Sequence, residues 1–297
     1  MPDATPEALD AQIHIFAPHE PEHPWTPTVL HGDAYAGMRG RYAGRSARPH
    51  DVLAAMDANG VAGAVIVTPS VYGTDNGYSL EAHALAPERF RIVGLVEMTA
   101  RDVGDQVAAW AAQPAAVGIR LSLYAPEAIA GFFDGAVDRA LAAAQDAGLC
   151  LCVNAPGRFD VFERIAQRFE ALQVVIDHLG LFDVAMLDQP DRDKFAAIDG
   201  LLPLARHANV AVKVTSVPLL SSRPYPHADA WPHLHAVIEA FGVERLLWGT
   251  DAFIFDHPYD EAIDFLRESD EVGPHEKQML LGGALRRVMR WPAAAES

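Results

Sequence analysis

Short apolar runs rich in Val, Ile and Leu recur along the chain, and stretches of helical periodicity separate them. The runs fall at Ala11–Phe16, Gly63–Thr68, Arg91–Met98, Val117–Leu123, Leu149–Ala155, Gln173–Leu179, Val210–Ser216 and Arg245–Asp251. Their length and near-continuous apolar character predict eight strands covered on both faces. Helices are predicted over Arg48–Asn59, Ala128–Ala147, Phe159–Glu170, Pro232–Phe241 and Tyr259–Glu268. In the third of these, Phe162, Ile165, Ala166 and Phe169 recur at three- and four-residue steps, so they share one helical face. Gly60, Gly148 and Gly242 stand where a helix C-terminus favours a left-handed residue.

Strands alternating with helices predict a parallel sheet, and eight such units in this length predict a (β/α)8 barrel of the TIM type. The expected organisation is one domain over residues 1–297, with residues 1–9 as an N-terminal extension and 17–49 as a long loop after the first strand. An open doubly wound sheet is the competing arrangement. It is disfavoured because no Gly-x-Gly-x-x-Gly follows the first strand and no phosphate loop occurs. The segments Ala17–Pro49 and Val217–Pro232 exceed ordinary connections, which marks them as functional loops or lids.

Composition narrows the function. The chain has 297 residues, half of them hydrophobic, and a net charge of −17 from 23 Lys+Arg against 40 Asp+Glu. This balance excludes a wholly disordered chain and leaves no basic stripe for nucleic acid. Cys150 and Cys152 cannot build a disulfide framework; they share one strand face as small interior fillers. No run has transmembrane length, and Met1–Leu9 lacks the pattern of a signal peptide. A cytoplasmic protein without a membrane partner is expected, monomeric or homo-oligomeric.

In such barrels the chemistry gathers at the C-terminal ends of the strands. There the sequence places Gln12 and His14; Ser70, Thr74 and Asn76; Arg120, Ser122 and Tyr124; Asn154; Asp177 and His178; Lys213, Thr215 and Ser216; and Asp251. Singly, each has a plain structural role: a strand histidine is usually a satisfied core residue, Asp251 suits a cap, and Arg120 suits an ion pair with Glu97 or another carboxylate. Together, polar residues at the same end of so many strands point to a site. His227, His233 and His235 read as surface residues, since positions two apart on a helix share no face.

Three motifs then carry a resemblance. Asp10-Ala-Gln-Ile-His14 resembles the first-strand Asp-x-His-x-His of the amidohydrolase superfamily, Asp177-His178-Leu-Gly its sixth-strand histidine motif, and Trp248-Gly-Thr-Asp251 its eighth-strand aspartate motif. The loop Pro69–Asn76 is similar to that of the 2-pyrone-4,6-dicarboxylate lactonases in the branch that also holds sugar lactonases. The resemblance implies a hydrolase opening a small anionic, carboxylated lactone, of the 2-pyrone-dicarboxylate or muconolactone kind, in aromatic-compound catabolism. In this reading Asp251, with an ordinary pKa near ~4, is the base that activates water. His14 and His178 donate hydrogen bonds to the carbonyl. Arg120 offers a planar fork to a substrate carboxylate, with Arg223 as a second cation. Gln12, Ser70, Thr74, Asn76 and Asn154 supply neutral hydrogen bonds, and Tyr124 and Trp25 wall the pocket.

The departures from the family pattern concern metal. Gln12 stands where the first histidine of the pair belongs, and Asn154 ends a strand that carries a ligand in binuclear members. An amide is a poor zinc ligand beside imidazole. His14, His178 and Asp251 remain as a ligand set for one zinc ion, but the favoured reading has no essential metal. The competing functions are a metal-dependent amidohydrolase or decarboxylase, a sugar lactonase, and a non-catalytic binding barrel.

Overall fold

Eight parallel strands pair in chain order: β1 (Ala8–Ile13), β2 (Val61–Val67), β3 (Phe90–Gly94), β4 (Ala116–Ser122), β5 (Cys150–Asn154), β6 (Val174–Ile176), β7 (Val210–Thr215) and β8 (Leu246–Gly249). The computed structural model describes residues 7–26, 36–189 and 191–291. Around the strands lie α1 (Ala36–Tyr42), α2 (Pro49–Ala58), α3 (Gly77–Leu85), α4 (Val103–Ala111), α5 (Pro126–Phe133), α6 (Asp138–Asp146), α7 (Phe159–Arg168), α8 (Val217–Leu220), α9 (Trp231–Phe241), α10 (Tyr259–Arg267), α11 (Pro274–Gln278) and α12 (Ala284–Val288). This is the (β/α)8 barrel expected from the alternation.

The near-continuous apolar strands serve two cores. In β2, Ala64 and Ile66 join the layer between strands and helices, while Val65 and Val67 join the barrel interior with Val93, Val175, Ala211 and Leu247. This is the two-residue period of a strand, with both faces buried. Cys150 and Cys152 belong to the interior cluster and are free thiols, and burial pushes them up to about 12 and about 11. They are fillers, as read from the sequence. Leu285, Val288, Met289 and Trp291 plug the same interior from the N-terminal ends of the strands. Trp291 lies so close to Gly63 that a Cβ there would stand 2.7 Å from its ring.

The barrel closes between β8 and β1 through a buried carboxylate. Asp10 Oδ1 accepts from the backbone N–H of Gln12 (2.9 Å) and of Thr250 (3.0 Å), and Oδ2 accepts from the Thr250 hydroxyl (2.6 Å) and Tyr259 (3.1 Å). Beyond it, the Asp251 N–H donates to Gln12 O at 2.8 Å. Gly249 permits this approach: a Cβ there would meet Gln12 N at 2.8 Å and Asp10 Oδ1 at 2.9 Å. The run Trp248-Gly-Thr-Asp251, which carries part of the resemblance, is thus a device that closes the barrel.

The structure departs from the expected elements in several places. The predicted helix Ala128–Ala147 is two helices, α5 and α6, broken at Gly135 with φ +86°. Strand β1 starts at Ala8, inside the expected extension, because buried Asp10 sits within it. Helices α3 and α4 were not anticipated; both are nine residues long with a glycine in the first turn, a weak periodic signal. Within the 17–49 loop, residues 36–42 form α1, and 27–35 lie outside the described residues. Among the described residues no helix is long and apolar enough to cross a membrane.

Candidate active site

Three consecutive strand ends turn through the left-handed region at non-glycine residues: His178 after β6 (φ 52°), Ser216 after β7 (φ 61°) and Asp251 after β8 (φ 57°). L-residues avoid this region at a cost of order 1–3 kcal/mol each, so surrounding contacts must hold them there. The turns drop all three side chains into the mouth of the barrel. Ser216 Oγ donates to Asp251 Oδ2 at 2.8 Å and stands 2.9 Å from His178 Nδ1. Thr215 Oγ1 is 2.8 Å from the same nitrogen. Gln12 and His14, from β1 and just past it, complete the cluster.

The hydrogen-bond partners assign protons. His14 Nδ1 lies 2.8 Å from the carbonyl of Val67, an acceptor only, so Nδ1 carries hydrogen. His14 Nε2 faces Asp251 Oδ1 at 3.2 Å. The Gln12 carbonyl Oε1 accepts from Lys213 Nζ at 2.8 Å, which turns the NH2 of Gln12 toward Asp251 Oδ1 (3.2 Å) and His178 Nε2 (3.2 Å). His178 therefore accepts at Nε2 and donates from Nδ1 to Thr215 or Ser216. Burial pulls this ring down to about 4 despite the neighbouring carboxylates of Asp251 and Asp177, so it is neutral at pH 7.

Two expectations change here. His178 has both nitrogens engaged by protein groups and presents its neighbours with an acceptor at Nε2, so a donor role toward substrate does not fit. Asp251 is not an ordinary carboxylate: burial alone would raise it, but His178, His14 and Ser216 more than reverse this and hold it below the usual carboxylate range.

Beneath the mouth runs a buried charge chain. Lys213 Nζ pairs with Asp177 Oδ1 at 3.0 Å, and Arg120 Nε with Asp177 Oδ2 at 3.0 Å, all on side chains less than 10 % exposed. Burial works against both ions of the Lys213–Asp177 pair, yet their attraction prevails: Lys213 is raised and Asp177 lowered. Arg120 thus pairs with a carboxylate, as its structural alternative allows, and the partner is Asp177. The sequence offers Lys213 as part of a positive mouth for an anionic substrate; its ammonium is instead buried against Asp177 and Gln12.

A cavity of about 20 Å³ opens between His14, Arg120, Tyr124, Asn154, His178, Phe182 and Asp251. That is room for one water molecule. The rings of Phe182 and Phe255 meet edge to face at 5.4 Å beside it. Asn154, 4 % exposed, makes no side-chain hydrogen bond among the described residues, so its amide is available to the cavity. A larger, mostly apolar cavity of about 270 Å³ adjoins it and shares Arg120; Thr74, Met98, Leu123 and Phe132 line it.

Other expected site residues lie elsewhere. Asn76 clamps the backbone of Leu95, donating to its carbonyl (2.9 Å) and accepting from its N–H (2.9 Å). Ser70 opens a short 3-10 turn and lines neither cavity. Arg223 is exposed on the loop after β7, away from both. Trp25 packs on Tyr42 and donates to Ala17 O at 3.1 Å, a plain packing role. His227 is buried, not a surface residue as its sequence suggested, with Nδ1 3.0 Å from Arg223 O.

An eight-stranded parallel barrel whose strand ends bring two histidines and an aspartate around a water-sized cavity has the architecture of a barrel hydrolase. The family model for amidohydrolases matches residues 9–290, and the chain belongs to that family. It is similar to a 4-sulfomuconolactone hydrolase of Hydrogenophaga intermedia, 26 % identical over 83 % of this chain and 74 % of the relative. It is equally similar to an L-fucono-1,5-lactonase of Burkholderia ambifaria, 26 % identical over 82 % of this chain and 79 % of the relative. Among solved structures, a zinc-bound amidohydrolase of Burkholderia multivorans shares the fold with TM-score 0.77 and 21 % identity, covering 96 % of this chain and 100 % of its own. A probable 2-pyrone-4,6-dicarboxylic acid hydrolase of Acinetobacter baumannii with bound citric acid gives TM-score 0.73 and 20 % identity, covering 96 % and 99 %.

The zinc in one of these structures prompts a test of the residues present here. The expected set of His14, His178 and Asp251 does not fit: the lone pair of His178 Nε2 and one from Asp251 Oδ1 face the Gln12 NH2, a donor. Among the described residues no three His, Cys, Asp or Glu side chains are placed to hold a metal together.

Proposed function

We propose that this chain hydrolyses a small carboxylated lactone by water attack at the cavity between His14, His178 and Asp251. The observation that carries the reading is that cavity itself, with a carboxylate–imidazole pair, Arg120 and Asn154 all in its wall. The water sits against Asp251, and its proton passes to the Asp251–His14 pair as the oxygen attacks the lactone carbonyl. With Nδ1–H tied to Val67, His14 takes that proton at Nε2, beside the carboxylate that stabilises the resulting cation. This pairing offsets the low basicity of Asp251 alone. The amide N–H of Asn154 supports the carbonyl oxygen as it gains charge. His14 then returns the proton to the ring oxygen as the ester bond breaks, giving the open-chain acid.

A lactone ring does not fit in 20 Å³, so its body occupies the adjoining 270 Å³ cavity with its carboxylate toward Arg120. The test is a panel: 2-pyrone-4,6-dicarboxylate and muconolactone against the neutral L-fucono-1,5-lactone. Turnover confined to the anionic lactones, and lost in Asp251→Asn, is expected. Preference for the neutral sugar lactone would overturn the carboxylate assignment, and unchanged turnover in Asp251→Asn would remove Asp251 from the reaction.

A further inference from the structure

Two buried cations, Lys213 and Arg120, and two buried carboxylates, Asp177 and Asp251, surround Gln12, with the His14 and His178 rings beside Asp251. Within this set Gln12 has one acceptable orientation. Its carbonyl faces the Lys213 ammonium at 2.8 Å, and its NH2 faces Asp251 Oδ1 and His178 Nε2 at 3.2 Å each. Turned over, the amide would set N–H hydrogens against an ammonium and an oxygen against a carboxylate, both repulsive. Lys213 is 0 % exposed and is itself fixed by Asp177.

We propose that Lys213 is a positioning residue which, through Gln12, gives this site a built-in positive pole that takes the lone pairs a divalent cation would need. The ammonium sets the amide, the amide NH2 hydrogen-bonds His178 and Asp251, and His178 is thereby locked as its Nδ1–H tautomer. A divalent ion would have to displace the NH2 and add two charges beside the buried Lys213 ammonium and Arg120 guanidinium, where a further positive charge is costly. The fold is that of a zinc-binding barrel, but in this chain the cation of the site is the lysine. The inference rests on this geometry and is independent of the lactonase reading.

Two measurements on the unmodified chain test it. Protein purified without chelator and equilibrated with zinc chloride, then freed of excess by gel filtration, should hold less than about 0.1 zinc per chain by mass spectrometry. Nitrogen-15 NMR of the imidazoles should show His178 with Nε2 unprotonated. About one zinc per chain, or a protonated Nε2, overturns the proposal without any variant. Gln12→Glu keeps the oxygen that Lys213 holds and replaces the NH2 with a ligating oxygen, so the folded variant should take up about one zinc; a folded variant that stays empty overturns the account. In folded Lys213→Met, loss of the anchor should mix the two tautomers of His178, and an unchanged single tautomer would show that Lys213 does not set it.

Discussion

Replacing Asp177 with asparagine removes the carboxylate that bridges Lys213 and Arg120 and leaves two cations facing each other inside the barrel. Asp177 is 1 % exposed and Lys213 0 %, so water cannot solvate the charge that loses its partner. Removing one member of a buried ion pair costs about 3–5 kcal/mol, because the remaining ion keeps its desolvation penalty. For 297 residues the entropy of unfolding is about 0.6 kcal/mol per degree, so the melting temperature should fall by ~5–8 °C. The assay is thermal unfolding followed by circular dichroism at pH 7.5, with reversibility checked. A double-mutant cycle adds the control: Asp177→Asn with Lys213→Met should lose less than the sum of the two single changes, since the second removes the cation stranded by the first. A melting temperature within about 1 °C of the parent for Asp177→Asn, or strict additivity in the cycle, would refute the view that this chain of charges holds the barrel interior together.

Two further outcomes follow from the same geometry. Burial raises Asp10 to about 6 although its hydrogen bonds oppose the change, so the folded state keeps a proton that the unfolded chain releases near ~4. The stabilisation is full below that lower value and is lost as pH rises through about 6; the stability of the parent relative to Asp10→Asn should therefore fall by about 2 kcal/mol between pH 4 and 7, measured by urea unfolding across that range. A pH-independent difference would contradict it. Asn154→Ala should lower kcat by about 10²–10³ in steady-state lactone hydrolysis with little change in melting temperature, since in the proposed mechanism it removes the donor to the developing oxyanion and it breaks no described hydrogen bond; a purely KM effect would instead make Asn154 a ground-state binding group.

Much of this architecture is legible in one dimension. Strands covered on both faces must be apolar nearly throughout, so β2, β3, β4, β5 and β7 stand out as apolar runs, and helices between them must carry a one-sided apolar stripe, as α7 does with Phe162 and Ile165. Gly135 did not stand out inside an Ala-rich stretch, so α5 and α6 read as one helix. The ends of β6, β7 and β8 were read as continuing strand because His178, Ser216 and Asp251 carry no sequence mark of left-handed backbone; only contacts across the barrel hold them so.

The sequence alone determined the barrel and singled out His14, His178, Asp251 and the altered Gln12 at its strand ends, because periodicity, residue type and short motifs are local properties. Tertiary structure decided which of these groups donate and which accept. It chose Asp177 as the carboxylate beside Arg120, turned Asn76 to the backbone and left Arg223 in solvent. It also set Lys213 against Gln12, two residues 201 positions apart in the chain. Hydrogen-bond direction and charge balance are properties of atoms brought within 3 Å by the closing of the sheet, and no spacing along the chain encodes them.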